Sequence, residues 1–195
     1  EPISEDLEGQ SFRFEGETYH IRLLGEHQLK NAAVAVTAAR LLGIPQEAIA
    51  RGLERTVWPA RFEIVSRSPY FVVDGGHNPQ CVTATAAALW RCFPGKRRVL
   101  LMGVLADKAW GEMLDILLPC ASQVVCVRPD SERALDAAEL CAEILRRGVP
   151  AEAAESIAAG VDRAIALAGE DGMVCSVGSL YMSGAVRERI LGKGA

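Results

Sequence analysis

From residue 61 onward, short apolar runs alternate with longer amphipathic segments. The apolar runs have the length and composition of buried strands, and they lie at 62–65, 70–74, 98–104, 123–128 and 173–177. Helices are predicted near 79–93, 109–118, 132–147, 156–168 and 179–191. Such alternation is typical of an α/β fold with a doubly wound, mainly parallel sheet that helices cover on both faces. We therefore predict one α/β domain over residues 59–195.

Residues 1–58 have a different pattern. Polar and apolar residues alternate over 11–24 around a central glycine, which predicts a two-stranded hairpin. The next segment is predicted to be a helix that ends at Gly43, and a second helix is predicted to begin at Pro45. Because Pro59 pushes the residue before it out of the helical region, we place the domain boundary there. An isolated hairpin is marginal in water, so this small α+β unit is expected to belong to a larger sheet.

Composition excludes some classes of function. The net charge of −4 gives no basic excess, which argues against nucleic acid as the main partner. No apolar run is long enough to cross a bilayer and no signal peptide opens the chain, so a cytoplasmic protein is expected. The six cysteines form no C-x-x-C pair, and we interpret them as small buried hydrophobic residues of a reducing compartment.

The stretch 70–79 reads Tyr-Phe-Val-Val-Asp-Gly-Gly-His-Asn-Pro and carries the most chemistry. Asp74 follows a predicted strand, the two glycines are expected to allow a tight turn, and His77 comes next. Asn78 and Pro79 suit the N-cap and first position of the following helix. Ligands of open α/β sheets bind at this carboxyl edge. The alternative is a turn capped by Asp74 with a solvated His77 that binds nothing.

Three stretches in this order and spacing carry a resemblance to a known family. They are His-Gln-Leu-Lys-Asn-Ala at 27–32, Trp-Pro-Ala-Arg-Phe-Glu at 58–63, and Asp-Gly-Gly-His-Asn-Pro at 74–79. They resemble the C-terminal portion of folylpolyglutamate synthase and of the bifunctional dihydrofolate synthase, members of the Mur ligase superfamily. The stretches 103–108 and 178–184 also resemble that family, so the similarity covers nearly the whole chain.

The resemblance implies an ATP-dependent ligase that adds L-glutamate to a folate or to dihydropteroate through an acyl phosphate. Residues 1–58 would then be the last part of the ATPase (central) domain, and 59–195 the Rossmann-like C-terminal domain. No P-loop motif occurs in the chain. It would therefore be a fragment, inactive alone, whose partner is the N-terminal P-loop domain of the same protein. The Mg²⁺ ligands would lie in that missing domain, no metal site is expected here, and the whole protein would be a monomer.

The resemblance also assigns residues to ATP. Asn31 matches the family asparagine at the adenine ring, and an amide can both donate to and accept from an adenine edge. Arg61 matches the catalytic arginine that reaches the phosphates, where a permanently charged, forked donor suits a phosphoryl oxygen. Its alternative role is a surface ion pair with Glu63. Asp74 matches the aspartate at the nucleotide, where a carboxylate can accept from the ribose or position Arg61.

The resemblance assigns a second group of residues to the incoming glutamate. His77 matches a catalytic histidine beside this substrate, where it could bind a carboxylate or orient the amine. Ser179 and Tyr181 are further candidates that line the amino-acid site, although core or helix-cap roles suit them equally well. Alanine at position 109 replaces an acid that the family usually has, which leaves the roles of Asp107 and Lys108 open.

Two other functions fit the same residues. The first is a fragment of a Mur ligase that acts on peptidoglycan precursors. The second is a freestanding, non-catalytic Rossmann-like module that uses the Asp74–His77 loop to bind a small anion or nucleotide. The folate branch is favoured by the Trp58–Glu63 stretch, which is followed closely by the stretch 74–79.

Overall fold

The computed structural model describes residues 1–192, so the last three residues of the predicted domain 59–195 lie outside the described part. The chain divides into two compact units, Glu1–Pro59 and Ala60–Ala195. Each unit is built around its own sheet.

The first unit is a three-stranded antiparallel sheet followed by two helices. Its strands are β1 (Pro2–Asp6), β2 (Gly9–Phe14) and β3 (Glu17–Ile21), and its helices are α1 (Glu26–Leu41) and α2 (Gln46–Arg55). The predicted hairpin is confirmed, because β2 and β3 pair directly. Glu15 and Gly16 form its turn and both have positive φ, as a tight two-residue hairpin turn requires.

Apolar side chains from β2, β3 and both helices form the core of this unit. Its buried members are Phe12, Tyr19, Ile21, Ala32, Val36 and Ile49. Phe12 lies opposite Tyr19 in the strand register, and their rings stack with centroids 5.5 Å apart. The sequence does not predict β1, because all of its residues are exposed and give no apolar alternation.

The second unit alternates strands and helices. Its strands are β4 (Glu63–Arg67), β5 (Tyr70–Val73), β6 (Arg98–Met102), β7 (Gln123–Cys126), β8 (Ala151–Ala153) and β9 (Met173–Val177). Its helices are α3 (Pro79–Cys92), α4 (Trp110–Leu117), α5 (Ala137–Arg146), α6 (Ile157–Ala168) and α7 (Leu180–Leu191), with a 3-10 turn at Leu118–Cys120. The predicted α/β fold with a mainly parallel sheet is confirmed.

The sheet of this unit has the strand order β4-β5-β9-β6-β7-β8. Only β4 is antiparallel to its neighbour among the described strands of this sheet. Every residue of β6 and β9 is buried, because helices cover both faces. Phe71, Leu101 and Val174 pack on the face covered by α6 and α7, and on the opposite face Cys126 contacts Cys141 of α5.

Helix α5 begins at Ala137, so the prediction of a helix from residue 132 is wrong. The Asp136 carboxylate accepts hydrogen bonds from two backbone amides of the first turn, at 2.8 and 3.3 Å, and caps the helix there. Residues 133–135 instead pair with residues 104–106 through backbone hydrogen bonds. This pairing ties the loop after β6 to the loop after β7.

Strand β8 is also missed by the sequence prediction. Its Ala-Glu-Ala sequence contains no apolar run, and none of its residues is buried. It is a strand because its backbone pairs with β7 at the edge of the sheet. Strands β6 and β7 each end two residues before the predicted positions, at Met102 and Cys126.

Candidate functional site

The loops that follow β5 and β9 are joined at one edge of the parallel sheet. The amide of Asp74 donates to the carbonyl of Ser176, and the amide of Gly178 donates to the carbonyl of Gly76, each at 2.9 Å. Both loops follow the carboxyl ends of their strands, which is the edge where α/β sheets bind ligands.

Asp74 accepts hydrogen bonds with both of its carboxylate oxygens. Oδ2 accepts from the amide of Phe62 at 3.0 Å. Oδ1 accepts from the amide of Gly76 at 2.7 Å and from the hydroxyl of Thr85 at 3.2 Å. Burial raises the pKa of the Asp74 carboxyl above its ordinary value, because lost hydration outweighs these bonds and the nearby Arg61 charge. Asp74 therefore connects its own loop to the backbone before β4.

Residues 60–62 form a tight backbone turn, here termed the Arg61 arch. Ala60 and Phe62 have φ values of 56° and 47°, in the left-handed region that L-residues rarely occupy. The Ala60 amide donates to Glu63 Oε2, and the Ala60 carbonyl accepts from the Gly75 amide, both at 2.9 Å. Together with the bond from Phe62 to Asp74, these contacts hold a conformation that would otherwise relax.

Arg61 lies at the centre of this arch. Its side chain is half-buried and makes no hydrogen bond or ion pair with any residue in the range 1–192. The alternative prediction, a surface ion pair with Glu63, is wrong, because Glu63 pairs with Arg187 instead. The arch therefore presents a permanent positive charge beside Asp74 without a protein partner.

Gly75 and Gly76 allow neighbouring groups to pack closely against the backbone. The prediction that they enable a tight turn is wrong. Neither residue has a positive φ. A Cβ atom on Gly75 would lie 2.1 Å from Leu180 Cδ2, and one on Gly76 would lie 2.8 Å from Asp74 Oδ1. The two glycines thus allow the start of α7 and the Asp74 carboxylate to approach the backbone.

His77 is half-buried in the same loop, and its protonation pattern follows from one contact. Its Nδ1 atom lies 2.9 Å from the carbonyl oxygen of Gly75. Because a carbonyl can only accept, Nδ1 carries the hydrogen, and Nε2 of the neutral ring is left as an acceptor. The next residue, Asn78, caps α3 by accepting from the amide of Cys81 at 2.8 Å, with Pro79 at the first helical position as predicted.

Tyr181 belongs to a polar network at the same edge. Its side chain is 55% exposed, and its hydroxyl accepts from Arg133 at 3.5 Å. Arg133 also forms an ion pair with Asp107 at 2.9 Å. Arg133 is not among the predicted site residues, although its position in the loop after β7 places it at this edge. Asp107 thus has a partner, whereas the Lys108 side chain has none among the described residues.

Ser179 is only 2% exposed and caps helix α7. Its Oγ accepts a hydrogen bond from the amide of Tyr181 at 3.2 Å. Of the roles considered for Ser179, the structure shows the helix cap.

Replacing Ser179 with alanine is expected to lower the free energy of unfolding by about 1 kcal/mol, because the first turn of α7 loses an acceptor. Urea unfolding of residues 1–195, followed by circular dichroism, measures the change. Ser156 offers a matched control, since its Oγ caps α6 by accepting from the Ala159 amide at 3.1 Å. S156A should show a similar loss. Unchanged stability in S179A would contradict the capping role.

Asn31 lies in the first unit and is described separately. It is exposed on α1, and its Nδ2 donates to Gln28 Oε1 at 3.0 Å. Gln28 is buried, with 7% exposure, so it holds the Asn31 amide in one orientation. The Asn31 Oδ1 atom and one N–H remain available, which is the donor and acceptor pair that an adenine edge requires.

No cluster of three or more His, Cys, Asp or Glu side chains within residues 1–192 could hold a metal ion. A helix long and apolar enough to cross a membrane is likewise not found in that range. All six cysteines are free, four of them buried, and burial raises the pKa of the Cys120 and Cys175 thiols. Buried thiols of raised pKa are poor nucleophiles.

Residues 60–180 match the family described as Mur ligase, glutamate ligase domain. Among curated proteins, a probable bifunctional folylpolyglutamate synthase/dihydropteroate synthase from Haloferax volcanii is 39% identical over 89% of this chain. Folylpolyglutamate synthase from Lacticaseibacillus casei is 32% identical over 94% of it. The chain spans 21% and 44% of these two relatives, respectively, which is less than half the length of each.

Solved structures give the same relationship. Folylpolyglutamate synthase from Mycobacterium tuberculosis, complexed with ADP and AMPPCP, superposes with a TM-score of 0.86 and 26% identity. The match covers all of this chain and 48% of that one. Folylpolyglutamate synthase from Thermotoga maritima superposes with a TM-score of 0.82 and 27% identity. That match covers all of this chain and 46% of the other. The resemblance seen in the sequence is confirmed, and the chain belongs to the Mur ligase family through its glutamate ligase domain.

Proposed function

We propose that this chain is the C-terminal part of an ATP-dependent ligase that adds L-glutamate to a folate or to dihydropteroate. In this proposal ATP phosphorylates the substrate carboxylate, and the glutamate amine attacks the resulting acyl phosphate. Membership of the family and the folylpolyglutamate synthase relatives support the reaction class.

The observation that carries the proposal is the unpaired guanidinium of Arg61. It lies on an arch held by three hydrogen bonds, beside Asp74 and at the carboxyl edge of the sheet. The bonds fix the backbone from which the Arg61 side chain extends, and its unpaired guanidinium is available to a phosphoryl oxygen on which negative charge develops. We therefore assign Arg61 to the ATP phosphates as a catalytic residue.

The other assigned residues have complementary chemistry. Both oxygens of Asp74 already accept hydrogen bonds from protein groups, which favours a role in positioning the arch over a contact with the ribose. Asn31 would bind the adenine edge with the amide atoms that Gln28 leaves available. His77 would accept a hydrogen bond from the glutamate amine at Nε2, because Nδ1 is committed to Gly75. Tyr181 would line the amino-acid site, and Ser179 would support it by capping the first turn of α7.

The proposal includes a division of labour between domains. Residues 1–58 would complete an ATPase domain whose preceding part carries the P-loop and the Mg²⁺ ligands. Residues 59–195 would form the domain that closes over ATP and receives glutamate. The whole protein would work as a cytoplasmic monomer, and this chain alone would be inactive.

ATP-dependent glutamate transfer by the full-length protein tests the function. Labelled L-glutamate should be incorporated into dihydropteroate or a reduced folate only when ATP and Mg²⁺ are present. Residues 1–195 alone should incorporate none and should bind ATP negligibly. Both folate acceptors are assayed, because the pterin preference depends on residues outside this chain.

Two outcomes would overturn the proposal. Transfer to a muramyl nucleotide but not to folate would move the protein to the peptidoglycan branch. Tight, Mg²⁺-dependent ATP binding to residues 1–195 that persists in R61A and N31A would favour a freestanding binding module.

A further inference from the structure

An ion pair joins helix α7 to the start of β4, directly after the Arg61 arch. Arg187 of α7 binds Glu63 of β4 through Nε to Oε2 at 2.9 Å and through Nη2 to Oε1 at 3.1 Å. Only 19% and 21% of the two side chains are exposed. A bidentate pair that is largely shielded from water has a defined geometry. It therefore fixes where the Glu63 carboxylate lies.

The same carboxylate also holds the arch. Glu63 Oε2 accepts both from Arg187 Nε and from the backbone amide of Ala60, each at 2.9 Å. Ala60 is the first residue of the arch and has a φ of 56°. The bidentate pair thus orients the acceptor that keeps Ala60 in an unfavourable backbone region.

We propose that Arg187 is a positioning residue for Arg61 and acts through Glu63 and the Ala60 amide. This inference rests on the proposed function, in which the Arg61 guanidinium engages the phosphates of ATP. Arg187 itself binds Glu63 and is not assigned to a substrate.

Removal of the Arg187–Glu63 pair is expected to loosen the Arg61 arch without unfolding the domain. If Arg187 is shortened or uncharged, Glu63 is free to rotate and the Ala60 amide loses its fixed acceptor. The Gly75–Ala60 and Phe62–Asp74 hydrogen bonds remain, so the arch loosens at one end only. Misplacement of a catalytic group by about 1 Å can cost about 100-fold in rate.

Helix α7 also supplies a matched control. Arg189 binds Asp162 of α6 in the same bidentate manner, at 2.9 and 2.7 Å, and makes no contact with the arch. Arg187→Met and Arg189→Met therefore each remove a bidentate ion pair from the same helix, although the Arg189–Asp162 pair is more exposed, at 49% and 54%. Only the first removes support from Arg61.

The test uses the full-length ligase with the variants R187M, R189M, R61M and R187M/R61M. R187M should lower kcat by about 10- to 100-fold, with little change in the KM for glutamate. It should also speed hydrogen exchange of the Ala60 and Phe62 amides. R189M should change neither. In the R61M background, R187M should have almost no further effect on kcat, because the group that it positions is gone.

The outcomes separate this inference from the proposed function. Unchanged exchange at Ala60 in R187M, or independent effects of R187M and R61M on kcat, would overturn the positioning role. Faster exchange in R187M combined with a kcat that R61M does not change would support the link to the arch and refute the phosphate role of Arg61. If R187M is poorly folded, Arg187→Lys keeps the charge without the fork and should give an intermediate kcat.

Discussion

Replacing Arg61 with alanine in the full-length ligase is expected to lower kcat for ATP-dependent glutamate transfer by about 100- to 1000-fold. Arg61 makes no hydrogen bond or ion pair within residues 1–192, and without its charge Asp74 keeps all of its hydrogen bonds, so the change should not unfold the chain. In the proposed function, the lost group is the cation that faces the negative charge developing on the phosphoryl oxygens. Steady-state kinetics with saturating folate and glutamate measure the change, and thermal unfolding checks the fold.

Two further variants show whether the effect comes from the fork or from charge alone. Arg61→Lys retains the charge but not the bidentate geometry, so it should recover only part of kcat. Arg128 is an exposed arginine in the loop after β7, at the same edge of the sheet. R128A removes an equal charge and should be close to wild type. Similar losses in R61A and R128A would reduce the role of Arg61 to general electrostatics.

Replacing Asp74 with asparagine is expected to lower the free energy of unfolding by about 1–3 kcal/mol at neutral pH. An amide group supplies one acceptor oxygen, whereas Asp74 accepts from donors on both oxygens. One of the amides of Phe62 and Gly76 would then face an NH₂ group. Because Phe62 belongs to the Arg61 arch, D74N should also lower kcat. Urea unfolding and glutamate-transfer kinetics measure the two effects.

The stability difference between wild type and D74N should depend on pH in a defined direction. Burial raises the pKa of Asp74, so the folded state binds this proton more tightly than the unfolded state. The contribution of Asp74 is then largest below the ordinary pKa and falls as pH rises through the raised value. The difference should shrink across that window and be flat above it. A difference that grows with pH would contradict the direction of the shift.

Asp136 provides the control for an aspartate-to-asparagine change. Its Oδ1 caps α5 through two backbone amides, and asparagine caps a helix about as well as aspartate. D136N should therefore leave the stability nearly unchanged. A loss as large as that of D74N would show that the substitution is harmful in general and not through the arch.

Most of the fold could be predicted because its signals are local. Apolar runs identify the buried strands, and Asn78 with Pro79 marks the start of α3. Strands β1 and β8 could not be predicted, since neither shows an apolar run or a regular alternation and only backbone pairing makes them strands. The start of α5 was missed because the pairing of residues 133–135 with residues 104–106 is a tertiary contact.

In the candidate site, the residues could be predicted from the sequence but their arrangement could not. Arg61, Asp74 and His77 lie in short motifs that the sequence displays. Their arrangement depends on bonds between separate segments, such as that from Phe62 to Asp74. The link from Glu63 to Arg187 spans 124 positions, and no periodicity or spacing in the sequence indicates it. The assignment of these residues to substrates is still a prediction.

The position of β9 has a consequence for biosynthesis. Among the six described strands of its sheet it is synthesised last, yet it lies between β5 and β6. Until β9 is made, neither of those strands has its inner neighbour, and two hydrophobic strands expose unpaired edges. The nascent domain therefore cannot complete its sheet until the chain has been made through Val177. We expect chains that stop earlier to aggregate more readily than the complete domain, because these strand edges stay exposed.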